Sequence, residues 1–130
     1  MIVNAEQALI GALMMEPRVI KDCGSIRPDM FVDALLGRIY LEFLRAHDFG
    51  YQANLVTLAA NIDDVSQSEL LSKLKECSDS SVTSTATGEY AEVIKNAYKA
   101  RTATQIINAV QFHPSAVEKQ IGETVNALEA

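Results

Sequence analysis

The sequence predicts an all-α protein: a small multi-helix globular body of about five or six helices, followed by an antiparallel helical hairpin. Three observations carry this reading. Apolar residues recur at spacings of three and four along most of the chain, and no segment alternates apolar and polar residues as a half-buried strand would. Glycine (6) and proline (3) are too few for a sandwich with many turns. A chain of 130 residues, 48% hydrophobic and 22% charged, can bury one ordinary core and is too apolar for disorder.

The first helix is expected over 5–15. Asn4 suits its N-cap, and Gln7 three residues on completes a capping box. Ala5, Leu9, Ala12 and Leu13 share a face, and Gly11 points to close packing against another helix. Pro17 opens a short second helix to about Cys23, with Gly24 as its exit. Ser25 to Val32 reads as an irregular crossing with Ile26, Met30 and Phe31 inward. Asp33 caps a helix over 34–48 that carries Leu36, Ile39, Tyr40, Phe43, Leu44 and His47, and Gly50 ends it. Asn54 caps a short helix with Leu55, Leu58, Ala59 and Ile62, closed by Asp63-Asp64. Ser66 and Glu69 form a second capping box, opening a helix with Leu70, Leu71, Leu74 and Cys77.

Ser78 to Thr87, rich in Ser and Thr, reads as a solvated loop. A long helix over 88–111 should turn Tyr90, Val93, Ile94 and Ala97 inward, then offer Ala103, Ile106, Ile107 and Val110. His113-Pro114 stops it, and Ser115 with Glu118 caps a last helix striped by Val117, Ile121, Val125 and Leu128. The short turn makes these two helices an antiparallel hairpin. The expected division is a body over 1–97 and a hairpin over 98–130.

Several function classes fall away. The net charge of −6 disfavours gripping a phosphate backbone by bulk charge. No run of 18 apolar residues exists to span a membrane, and the N-terminus lacks the basic start of a secretory signal. Cys23 and Cys77 form no C-x-x-C, which fits a reduced cytoplasmic protein. There is no G-x-x-x-x-G-K-[ST] and no G-x-G-x-x-G, so no nucleotide chemistry is assigned. His47 and His113 lack partners at zinc-ligand spacing. Asp63-Asp64 reads as a solvated pair, Ser25 and Ser115 have no histidine partner, and Met14-Met15 reads as core. No catalytic, cofactor-binding or metal-binding residue is expected.

Two features point to partners instead. Lys95, Lys99 and Arg101 form a basic island on the long helix. It serves either as a contact for an acidic partner or nucleic acid, or as a solvated face balanced by Glu89 and Glu92. The hairpin has few apolar residues for a two-helix projection standing alone. Ile106, Ile107, Val110, Val117, Ile121, Val125 and Leu128 therefore bury against a second subunit, or the hairpin folds back on its own body.

Four stretches in order resemble a known family. Ala5-Glu6-Gln7-Ala8-Leu9-Ile10-Gly11-Ala12-Leu13 resembles the A-E-Q-x-x-[LI]-G-x-[LM] opening of the N-terminal domain of bacterial replicative DNA helicases, the DnaB family. Phe31 with Arg38-Ile39-Tyr40, Gly50 with Asn54-Leu55-Val56-Thr57-Leu58, and Tyr90-Ala91-Glu92-Val93-Ile94 with Arg101 are similar to later family motifs. Gly37, Ala53, Asn54 and Asn4 depart from the family's usual His, Pro, Asp and acidic residue. The resemblance implies a non-catalytic collar domain that pairs through its hairpins within a hexameric ring. It also implies docking of primase and, in some systems, a helicase loader, with Lys95, Lys99 and Arg101 as possible docking residues. ATP and Mg would belong to a motor domain absent from these residues, and no direct sequence-specific nucleic-acid binding is implied. The chain is then an excised domain or a separate gene product. The alternative is a free-standing helical adaptor that regulates a helicase or primase.

Overall fold

The computed structural model describes residues 4–80 and 83–112. Among these the fold is all-α. The helices are α1 (Ala5–Met15), α2 (Ala34–Phe49), α3 (Leu55–Asn61), α4 (Gln67–Ser80) and α5 (Thr87–Phe112). Short 3-10 segments at Pro17–Cys23, Pro28–Met30 and Ser84–Ala86 join them. The final helix expected from Ser115, and the hairpin it would close, lie outside the described residues.

The chain divides into two compact units, Met1–Ile94 and Lys95–Ala130. In the first unit α1 is central. It packs against α4, α2 and the 3-10 segments at Pro17–Cys23 and Ser84–Ala86. That enclosure corrects the expectation of a single buried face: every residue from Ala8 to Leu13 is buried, while Ala5 is half-buried. The rest of the buried core includes Ile20, Ile26, Met30, Phe31, Leu36, Ile39, Tyr40, Phe43, Leu58, Ile62, Leu70, Leu74 and Cys77. The Phe31 and Tyr40 rings meet at 5.2 Å between centroids, and the Tyr40 hydroxyl donates to the Ile26 carbonyl at 3.5 Å.

The helix starts follow the capping residues. Asn4 Oδ1 accepts from the Gln7 amide (3.2 Å), and Asp33 Oδ1 from the amides of Leu35 (3.0 Å) and Leu36 (3.2 Å). Asn54 forms a full reciprocal box with Thr57, and Ser66 Oγ accepts from the Glu69 amide at 3.1 Å. Each satisfies backbone donors that the first helical turn leaves free. Gly50 ends α2 in the left-handed region (φ 77°), where its amide donates to the Ala46 carbonyl. Gly37 has a different reason. A Cβ there would lie 2.6 Å from the Pro28 carbonyl oxygen, so its absence lets the Pro28–Met30 segment press against α2.

Several expectations need correction. The Ser/Thr-rich stretch is not a plain solvated loop. Helix α4 runs to Ser80, Ser84–Ala86 packs on α1, and Thr87 is buried with its hydroxyl donating to the Ser84 carbonyl at 2.6 Å. In α5 the inward residues are Thr87, Ala91 and Ile94, whereas Val93 and Ala97 are exposed and Tyr90 is half-buried. Those three share a face at spacings of four and three, and Val93 falls off that arc. Leu55, Leu71 and His47 are exposed. So are Met14 and Met15 at the end of α1, where the enclosing segments stop covering it. Among the described residues no helix is long and apolar enough to cross a membrane.

Candidate protein-interaction surfaces

The A-E-Q triplet acts as scaffold. The Glu6 carboxylate accepts from the amides of Val32 (2.8 Å) and Asp33 (3.1 Å), fixing the approach to α2. The Gln7 side chain bonds across to α4, donating to Glu76 (3.2 Å) and accepting from the Ser80 hydroxyl (2.8 Å). Gln7 therefore ties two helices together rather than reaching back to Asn4. Beside it, Lys73 Nζ lies 2.8 Å from Asp33 Oδ2 and 3.6 Å from Glu76. Partial burial works to raise the Asp33 carboxyl. The Lys73 hydrogen bond and the Leu36 and Leu35 amides outweigh it and hold the group below the usual carboxylate range. The hydrogen bond to Asp33 raises Lys73 in turn.

One groove of about 480 Å³ lies between the end of α1 and the end of α2. Met15, Pro17, Phe43, Ala46, Tyr51 and Ala53 supply its apolar lining, with Glu16, Arg18 and His47 also on its wall. Glu16 pairs with Arg18 and accepts from the Ser84 hydroxyl at 2.9 Å; these bonds, Arg18 first, hold its carboxyl low. Tyr51 is anchored by a residue that sequence reading missed. Glu42, 2% exposed in mid-α2, accepts from the Tyr51 hydroxyl (2.7 Å) and the Asn61 amide (2.9 Å) on one carboxylate oxygen. Its spacing from Ile39 and Ala46 was the available signal, since both lie on the buried arc. That hydrogen bond to Glu42 raises the Tyr51 phenol.

A second concavity, about 390 Å³, lies at the corner of α3 and α4 and is lined by Leu55, Val56, Ala59, Ala60 and Gln67. Asp64, in the connection from α3 to α4, pairs with Arg38 at 2.6 Å, which lowers the carboxyl. The neighbouring acids are thus exposed and engaged by a cation rather than set in a pocket as an acid/base pair. Among the described residues no group of three or more His, Cys, Asp and Glu could hold a metal ion. Burial pushes the Cys23 thiol up to about 11 and the Cys77 thiol up to about 12, which removes thiolate character from both.

In the second unit, α5 places Lys95 and Lys99 one turn apart, and neither makes an ion pair with Glu89 or Glu92. Arg101, two residues beyond Lys99, is turned about 200° around the helix from it. Its guanidinium lies 5.8 Å from the centre of the Tyr98 ring. The helix thus brings Lys95 and Lys99 together and leaves Arg101 on another side. Ile106 is half-buried, Ile107 is 57% exposed and Val110 39%. Val117, Ile121, Val125 and Leu128 lie outside the described residues, as does His113.

Comparison with known proteins assigns this arrangement. No curated protein matches the chain. Among solved structures it is similar to the N-terminal domain of DnaB helicase from Mycobacterium tuberculosis, with 22% identity and a TM-score of 0.73 over 96% of this chain and 91% of that one. It is also similar to a DnaB-like replicative helicase whose structure was described with its interactions with primase, at 23% identity and a TM-score of 0.70. That match covers 97% of this chain but 30% of the longer one. Identities this low establish the shared fold. The DnaB-like helicase N terminal domain family matches residues 2–96, the whole body and the first turns of α5, and the chain belongs to that family.

Proposed function

We propose that this chain is a non-catalytic collar domain of a replicative DNA helicase. It self-associates through its C-terminal arm, in dimer pairs within a hexameric ring, and docks a primase or a helicase loader during DNA replication. ATP hydrolysis, with its Mg, belongs in this reading to a motor domain outside these residues. One observation carries the proposal. Within the second unit, α5 leaves Ile107 and Val110 exposed to solvent, in a strip that has no reason to be apolar unless another surface covers it. The stripe Val117, Ile121, Val125 and Leu128 continues that apolar character in sequence. The fold shared with a helicase described with primase supports the docking half, for which Lys95, Lys99 and Arg101 are the candidate contacts.

Sedimentation of the chain against concentration tests self-association. Ile107→Asp with Val110→Asp should shift it towards monomer while circular dichroism keeps the wild-type helicity. Association that persists unchanged would place the interface elsewhere. Pull-down with a primase helicase-binding domain, across Lys99→Glu and Arg101→Glu, tests docking. Retention indifferent to both reversals would remove these cations from the contact.

A further inference from the structure

Helix α3 is lightly anchored. Of its 7 residues only Leu58 is buried, and Ile62 at its C-cap is the next side chain turned inward. Leu55 and Val56 face solvent, whereas every residue of α1 from Ala8 to Leu13 is buried. A helix this short does not hold by its own hydrogen bonds, so ties to the body decide its place. Two of them converge on one atom. Glu42 Oε1 accepts from the Tyr51 hydroxyl (2.7 Å), before the helix, and from the Asn61 side-chain amide (2.9 Å), at its end. The carboxylate is 2% exposed, and no cation pairs with it among the described residues. The other tie, Arg38 with Asp64 beyond the helix, joins side chains that are 39% and 65% exposed and holds weakly.

Both ends of this stretch can turn. Gly50 is left-handed (φ 77°) and exposed, with open space where a side chain would stand. Gln52 and Ala53 make no hydrogen bond among the described residues. On the far side Asp63 and Asp64 are exposed, between the end of α3 and the start of α4.

We infer that residues 51–62 form a flap that leaves the body as one unit, hinged at Gly50 and at Asp63-Asp64, with the Glu42 carboxylate as its latch. Releasing either donor lets water reach the carboxylate and compete for the other, so both ends come free together. Opening withdraws Leu58 and Ile62 from the core and takes Tyr51 off the wall of the α1–α2 groove. The seating of α3 and the shape of the groove are therefore one event. The flap lies within the first unit and does not depend on self-association.

Native-state hydrogen exchange of the full-length chain at low urea reads the flap directly. The amides of Tyr51, Leu58 and Ile62 are each bonded to a backbone carbonyl and serve as reporters. They should share one opening equilibrium, at least about tenfold more open than the α1 amides, with a urea slope between zero and that of global unfolding. Tyr51→Phe removes one hydroxyl and keeps the ring. It should speed exchange about tenfold at Leu58 and Ile62 as well as at position 51. Asn61→Ala should speed exchange several-fold at Tyr51, on the other side of the helix, although alanine favours the helix itself. Circular dichroism verifies that both variants fold. Reporters that exchange no faster than α1 would mean that α3 leaves only with the whole fold. Separate rates without urea dependence would mean fraying, and an effect of either substitution confined to its own neighbours would mean that Glu42 couples nothing. Any of these three results overturns the inference.

Discussion

Gly37 and Glu42 show how much a single position in α2 can decide. Gly37→Ala improves local helix propensity by about 1 kcal/mol. The new Cβ would nevertheless sit 2.6 Å from the Pro28 carbonyl oxygen, and backbone cannot rotate away as a flexible side chain can. The overpacking should win, with a net loss of about 1–3 kcal/mol in urea unfolding. A gain in stability would show that the Pro28–Met30 segment yields freely. At Glu42, truncation to Ala strips the acceptor from both the Tyr51 hydroxyl and the Asn61 amide, at a cost of roughly 1–3 kcal/mol. Glu42→Gln keeps a carbonyl oxygen for both donors and should unfold within about 1 kcal/mol of wild type. Equal losses for the two variants would mean that the charge, not the acceptor, is what the site needs. Neither role was legible in sequence. A missing Cβ is meaningful only beside the carbonyl it would strike, and a glutamate on a buried arc is stable only when donors from distant positions converge on it.

At the scale of the element, capping chemistry was the most legible feature. Asn4, Asp33, Asn54 and Ser66 each cap the helix that their position announces, because the free amides of a first turn are satisfied locally. Helix α3, with 7 residues, depends most on its cap. Asn54→Ala should cost about 1 kcal/mol in global unfolding, and Asn54→Asp should cost little, since aspartate accepts the same amides. Comparable losses from both would assign Asn54 to something other than the cap. Helix faces were less legible where surroundings decide them. A stripe of three and four marks one buried side, yet α1 is enclosed all round. The stretch 78–87 is polar in composition and still contributes a buried Thr87 and the Ser84 contact to Glu16. Composition reports average solubility, whereas burial of a hydroxyl depends on the carbonyl or carboxylate that meets it.

For the whole molecule, the Asp33–Lys73 pair joins the start of α2 to α4 and should leave its mark on acid stability. The folded Asp33 carboxyl lies below its unfolded value of about 4. Its contribution is therefore fully present above that value and is lost as pH falls through the folded one. Lys73 has the opposite sense: its raised value gives stability at neutral pH that is lost as pH rises through the folded lysine range. Asp33→Asn retains a good cap and removes the ion pair. It should cost under about 1 kcal/mol at neutral pH, because both side chains remain partly solvated, and should flatten the loss of stability below about pH 4. A variant with the wild-type acid profile would remove Asp33 from that transition. What the amino-acid sequence determined by itself is the all-α class, the starts of the helices, and a family kinship carried by ordered motifs. These depend on interactions spanning a few residues, or on patterns that survive without coordinates. The tertiary structure alone decided that A-E-Q is a brace between helices, that Glu42 is a buried anchor, and that α1 is enclosed all round. Each of these depends on the direction of a side chain in space or on groups far apart in the chain, which periodicity cannot bring together.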